Sequence, residues 1–552
     1  MDRLNSVDPV PSGLDSESPD LFVPDAAAPH HVSPSERDYP IRLASPTDFA
    51  TVRALFTSAG YDEATVARRL GGQTLIGVPR LADGRRTLAD HVEDALSALI
   101  RLFIDGCPLP SVQLHALLGS EAFAALESLG LLLAPDDPSM REPTVQLLPL
   151  QGLWIASDPL PHSVKDLSTI RQDFVYSAHN ELTGSFLSFM PAAAGARVLD
   201  MCAGTGVAAL RAVASGAASA TAADLIPRSA HFARFNALLN GLGDRVTVVE
   251  SDVWSALAGE QYDLIVAHPP YVPALSHRFD FRDAGVDGEH VTRKLVEGVP
   301  DHLRRGGRLL IRAALTDRGG RSIAQRVREW LGAASDEFDL VQLESMEYGL
   351  LDAYKGVTKG GKDFVDCERW LRQFTALEID RFALCFLELR RDAYGRPPIT
   401  ERRKIGAALG PEVSEWHFQF ARFLAGGGAT SAARMGGQRP RVVPQVRAAV
   451  HLEAQADGGW QTVGATVETA WPTHGLVKAP PLAPTLLELC DGTRTVGDVL
   501  AELRTAGLVT EEVGLEEVAR LIEVLANAAA LELAACPLPP RPQPAADGVK
   551  RG

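Results

Sequence analysis

Residues 198–206 read VLDMCAGTG, an apolar run that ends in an acid and leads through two glycines into the apolar stretch VAALRAVASG. Gly204 and Gly206 permit positive φ and let a backbone approach a ligand closely, and the helix expected next offers its free amino-terminal N–H groups. That arrangement suits a nucleotide-like ligand, and Gly204, Gly206 and Ala209 also satisfy a relaxed dinucleotide fingerprint. Asp224 ends the next apolar run, SATAAD, where a carboxylate accepts ribose hydroxyls. Asp252 follows a third run, RVTVVE, and after a fourth comes HPPYVP, residues 268–273. Consecutive prolines fix an extended backbone, so the neighbouring carbonyls and the His268 side chain meet a substrate nitrogen already ordered. Tyr271 adds a flat face for a planar amide or base. Neutral imidazole accepts one hydrogen bond and can also take a proton outright.

Asp200 with the glycine turn resembles the acidic-x-G-x-G-x-G motif of class I S-adenosylmethionine-dependent methyltransferases, with Cys202 in place of the first glycine. The resemblance implies that Asp200 lies near the cationic methionine end of the cofactor, that Cys202, Gly204 and Gly206 line it, that Asp224 holds the ribose and that Asp252 contacts the adenine amine. The loop of His268, Pro269, Pro270 and Tyr271 resembles the Asn/Asp-Pro-Pro-Tyr loop of release-factor glutamine and base N-methyltransferases, and His268 departs from it. Residues 281–311 resemble the segment after that loop in methyltransferases of the small-domain type, with a helix start at Asp287 and Gly288. Residues 173–189, with Tyr176 and Glu181, resemble the element that covers the methionine end. These likenesses span roughly residues 145–345. They imply an S-adenosylmethionine-dependent N-methyltransferase whose acceptor is a protein or nucleic acid presenting an amide or amine.

Such residues need a sheet to hold them. Alternating strand and helix patterns from 196 to 391 predict an α/β fold: a doubly wound, seven-stranded, Rossmann-like parallel sheet within a domain of 161–424. The strands expected are 196–201, 219–224, 245–250, 262–267, 307–313, 338–344 and 381–391. Residues 41–160 read as helices followed by two apolar runs, 131–133 and 145–150, separated by PDDPSMREP, a winged-helix-like domain. The supposed recognition helix, SEAFAALESLG, has two glutamates and no basic residue, so packing or substrate positioning is the expected role. Residues 425–440 read as a Gly/Ala linker and 441–535 as a small module for a peptide or protein partner. Within it LLELCDGTRTVGDVLAEL resembles the helical part of PqqD-like peptide-recognition modules.

Residues 1–40 carry seven prolines and eight acids against two arginines, which predicts disorder, as does the tail 536–552. The 552 residues carry a formal charge of −16, unfavourable for bulk nucleic acid. Six scattered cysteines form no CxxC pair, so no metal site is expected. The absence of an apolar membrane-spanning run or secretory signal predicts a cytoplasmic protein without a membrane partner. Two other readings stay open: a nucleotide-dependent oxidoreductase using the same turn, and a non-catalytic binding protein on a methyltransferase fold.

Overall fold

The computed structural model describes residues 39–75, 92–159, 170–275, 277–353, 364–405, 410–426, 430–456, 458–472 and 475–539. The expected disorder of residues 1–38 and 540–552 lies outside them.

The chain from Pro40 begins with α1 (Pro46–Ser58), α2 (Glu63–Arg69) and α3 (Ala95–Phe103), then β1 (Leu109–Pro110), α4 (Ser111–Leu118) and α5 (Ser120–Ser128). Asp94 caps α3 by accepting the Ser97 N–H at 2.7 Å, while the Ser97 hydroxyl accepts the Asp94 N–H, so both ends of the box are satisfied. The ribbon differs from the expected one. β2 (Leu132–Leu133) pairs with β3 (Met140–Pro143), which lies in the supposed turn, and β4 (Gln146–Leu150) pairs instead with β5 (Leu153–Ser157). Gln151 and Gly152, both at positive φ, close that second hairpin tightly.

The site rests on α6 (Glu181–Phe189), β6 (Arg197–Met201), α7 (Val207–Ala214), β7 (Ser219–Asp224), α8 (Pro227–Leu239), β8 (Val246–Glu250), β9 (Tyr262–Ala267), α9 (His290–His302) and β10 (Leu303–Arg318). It continues through α10 (Ile323–Leu331), β11 (Asp339–Tyr348), α11 (Phe364–Ala376), β12 (Ile379–Arg390) and β13 (Thr400–Lys404). The sheet runs β13-β11-β12-β10-β9-β6-β7-β8. All seven expected strands are present, and β13 is an eighth at the edge. The sheet is mixed rather than parallel, because β12 runs antiparallel to both β10 and β11. A strand buried on both faces, as β12 is, reads as a continuous apolar run and carries no sign of its direction. Chain order reverses between β6 and β9, and ligands of open α/β sheets bind outside the strand carboxyl ends at such a switch point.

Downstream, the described residues of the expected linker 425–440 include the end of one helix and the whole of another. α12 (Pro411–Gly426) places Val413 and Phe418 in the core cluster that includes the sheet, and Trp416 and Phe420 in the core of the C-terminal part. α13 (Ser431–Met435) follows. Its amino-terminal N–H groups are accepted by Glu516, its Arg434 pairs with Glu523, and Met435 is buried. Small residues there pack closely, which composition alone reads as flexibility. β14 (Arg441–Val442), β15 (Arg447–Ala454), β16 (Trp460–Thr469), β17 (Gly475–Ala479), α14 (Ala483–Leu489), α15 (Val496–Thr505), α16 (Leu515–Asn527) and β18 (Leu531–Glu532) complete the chain. Cys536, assigned to a loose tail, is buried, and Pro539 accepts the indole N–H of Trp471 at 3.1 Å. Among the described residues no helix is long and apolar enough to cross a membrane.

Candidate functional site

The glycine turn connects β6 to α7 at the switch point. Cys202, Gly204 and Gly206 all have positive φ, at 59°, 54° and 75°. A Cβ on Gly206 would come within 3.0 Å of the Ala233 Cβ, so glycine lets α7 and α8 close. A Cβ on Gly204 would meet nothing within 4 Å, which leaves open space for a ligand. Cys202 adopts a conformation that disfavours a side chain. Burial pushes its thiol well above the usual range, so it stays a neutral wall rather than a nucleophile.

Asp224, half-buried at the end of β7, accepts the Gly204 N–H on one oxygen at 2.8 Å and the Ile226 N–H on the other at 2.9 Å. Each oxygen keeps capacity for a ribose hydroxyl. Desolvation pushes its pKa up to about 6. Asp200 is 3% exposed and accepts the Ala209 N–H at 3.0 Å, beneath the first turn of α7. Desolvation first, and then the Asp224 charge, push Asp200 up to about 8. Asp252 sits at the exposed rim, ion-paired with Lys294 of α9 at 2.6 Å. The resemblance places its contact to adenine at that position.

The acceptor loop follows β9. Desolvation, with a smaller contribution from Arg312, lowers His268 to about 4, so the imidazole is neutral near pH 7. Its ring lies 5.5 Å from that of Phe186 on α6 and 5.8 Å from that of Tyr271. Pro269 is buried, and Pro270 and Tyr271 are half-buried. The next segment pins this loop. Val272 donates to the Arg282 carbonyl, Ala284 to Val272, and Ala274 to Gly285, at 2.9–3.0 Å. A Cβ on Gly288 would lie 2.5 Å from the Tyr271 carbonyl oxygen, so only glycine allows that contact. Asp287 accepts the Glu289 N–H and pairs with Arg318, just before α9 begins.

Tyr176 is 43% exposed and stacks on Phe281 at 5.2 Å, next to Phe174. Gln172 and Asp280 join the same two segments. Glu181 begins α6, whose cap is Asn180. The loops before β6 and after β9 are thereby joined by aromatic contacts.

Four residues escaped the sequence reading. Asn236 of α8, fully buried, bonds both backbone groups of Ala156 and the Thr205 carbonyl, fixing the glycine turn to the β4–β5 hairpin. Glu289 joins Thr316, Arg318 and Arg326 behind the acceptor loop. Phe186 packs on His268, and Arg312 lies beside it. A lone arginine inside LLIRAAL was the one legible signal among them.

Residues 168–330 match the methyltransferase small domain family. That match bears out the resemblance read from the motifs. A ribosomal protein uL3 glutamine methyltransferase of Bradyrhizobium diazoefficiens is 35% identical over 126 residues, 21% of this chain and 39% of that protein. A release factor glutamine methyltransferase of Cereibacter sphaeroides is 36% identical over 141 residues, 23% of this chain and 50% of that protein. The chain spans half or less of the length of these relatives. Among solved structures, a geranyl diphosphate methyltransferase in complex with S-adenosylmethionine aligns with 38% of this chain and 84% of its own, at 13% identity and a TM-score of 0.26. The residues of the methyltransferase small domain fit S-adenosylmethionine. Asp224 offers lone pairs to a diol, Gly204 opens onto free space, and the desolvated carboxyl of Asp200 stands where the resemblance puts the methionine end. Among the described residues no cluster of acids, histidines and cysteines could hold a metal.

Proposed function

We propose that the protein is an S-adenosylmethionine-dependent N-methyltransferase acting on a planar amide or amine nitrogen, of protein glutamine or of a nucleobase. The observation that carries this is the half-buried, neutral His268 of the Pro-Pro-Tyr loop, set across the switch point from the glycine turn. When bound, the cofactor supplies an activated methyl group on a sulfonium. Asp224 and the turn hold the nucleoside end, and Tyr176 and Phe281 cover the site. The Pro269–Pro270 backbone and the Tyr271 ring orient the acceptor, and Phe186 helps exclude water. The acceptor nitrogen, so held, would present its lone pair to that methyl group, and the His268 imidazole would accept the hydrogen bond along which the nitrogen's proton leaves. At a pKa of about 4, His268 is a better acceptor of that hydrogen bond than a keeper of the proton, which passes on to water.

The relatives' named targets, a release factor and a ribosomal protein, favour a protein acceptor and a cytoplasmic setting. The C-terminal part is then suited to holding a peptide or protein partner. Tritiated-methyl transfer from S-adenosylmethionine into fractionated cell lysate tests the reading. Label in protein or nucleic acid supports it. Cofactor binding without transfer to any fraction points to a non-catalytic binder, and binding of NADH instead points to an oxidoreductase.

A further inference from the structure

Arg312 follows Ile311, whose parallel partner is Ala267, the residue before His268, and its charge reaches the His268 imidazole. The residue is 3% exposed. Its guanidinium lies 4.3 Å from the ring centroid of Phe386, its partner across β12, and Phe386 in turn stacks on Phe189 of α6 at 4.2 Å. Neither Nε nor Nη1 has a hydrogen-bond partner among the described residues. The groups whose charges reach it are Cys385, Tyr271 and Tyr348, and burial raises all three, so each stays neutral near pH 7.

Other buried arginines of this sheet region are matched. Arg326 pairs with Glu289, and Arg390 with Glu388. Guanidinium does not release its proton in proteins, and one aromatic face does not replace the hydration lost on burial. Among the described residues Arg312 is therefore a buried cation without a carboxylate partner, with open N–H donors, near the acceptor loop. One positive charge is balanced by one negative charge, and a planar carboxylate matches both the charge and the donors. A phosphate dianion would leave a surplus charge in the same buried place.

We infer that Arg312 binds a carboxylate of the methyl acceptor, so that the acceptor is an acid carrying its methylated nitrogen close to that carboxylate. This rests on the methyl-transfer reading and narrows it, since a glutamine side chain alone offers no anion. A free amino or amido acid and an acidic side chain near the target nitrogen of a peptide share this chemistry. Labelled product in the small-molecule fraction or in protein distinguishes the two sources.

The test is calorimetry on the full chain saturated with S-adenosylhomocysteine. The probes are para-aminobenzoate, its uncharged amide para-aminobenzamide, and para-aminophenyl phosphate. In the wild type a carboxylate is expected to bind at least tenfold tighter than its amide. Arg312→Met should abolish that preference, and Arg312→Lys should keep part of it. S-adenosylhomocysteine affinity should stay within about twofold in both variants, which also reports that they fold. A wild type without carboxylate preference, or one that prefers the phosphate, overturns the inference. So does a large loss of S-adenosylhomocysteine affinity in both variants, which would assign the guanidinium to the cofactor's own carboxylate or to the fold. Failure of the wild type to bind S-adenosylhomocysteine at all overturns the methyl-transfer reading instead.

Discussion

Two carboxyls and one imidazole carry the site's response to pH. Asp224 accepts ribose hydroxyls best when ionised, so S-adenosylmethionine affinity should fall as pH drops through about 6, and Asp224→Asn should flatten that profile in calorimetry. Asp224→Ala should weaken binding by roughly 1 to 3 kcal/mol, the cost of leaving buried hydroxyls without a charged acceptor. Asp200 is raised from 3.8 to about 8 in the fold. Its contribution to stability is complete below its ordinary pKa and is lost as pH rises through about 8. The melting temperature of the ligand-free protein should therefore decline from pH 6 to 8.5, and Asp200→Asn, which keeps an oxygen for the Ala209 N–H, should decline less. At His268 an ordinary imidazole would impose an acidic limb near pH 6.5, but burial moves it to about 4. With S-adenosylmethionine saturating, the transfer rate should be level from near pH 7 to below 6. His268→Ala should lower it about tenfold to hundredfold, and His268→Asn should be milder, because it restores a hydrogen-bond acceptor.

The elements explain which of these residues were legible beforehand. The glycine turn and the Pro-Pro-Tyr loop each fall within ten residues of sequence, and the backbone they demand is encoded locally by glycine and proline. Asn236, Glu289 and Arg312 act across 80, 27 and about 45 residues of chain, so nothing near them in sequence announces their partners. The β2–β3 ribbon was misread for a related reason: PDDPSMREP has turn composition, and its pairing with β2 is decided by the neighbouring helices rather than by local propensity. Asn236→Ala should strand two carbonyls and one N–H in the interior, lower stability by about 2 to 4 kcal/mol in urea unfolding, and loosen cofactor binding with it. Gly288→Ala should act differently. Its Cβ would displace the Tyr271 carbonyl, so turnover should fall more than tenfold while cofactor affinity changes little.

For the chain as a whole, α12 decides how far the C-terminal part is separable. Trp416 and Phe420 face one core and Val413 and Phe418 the other, so the helix belongs to both. Each large apolar side chain contributes roughly 1.5 to 3 kcal/mol when buried. Scanning calorimetry of residues 40–552 should give one transition, and removing residues 427–552 should lower the melting temperature of what remains. Two independent transitions would instead return the C-terminal part to the status of a free module. Composition suggests a separate C-terminal module and gives no sign of the helix that fastens it, because amphipathic residues that serve two cores look like those that serve one. The position of β12 also bears on how the chain comes off the ribosome. Its residues 379–390 lie between β10 and β11, both of which are synthesised earlier. Until residue 390 is free of the exit tunnel, the outer edge of β10 stays bare and β11 lacks its central neighbour, with their apolar faces still waiting for partners. A chain stalled in that interval exposes long strand edges to its neighbours.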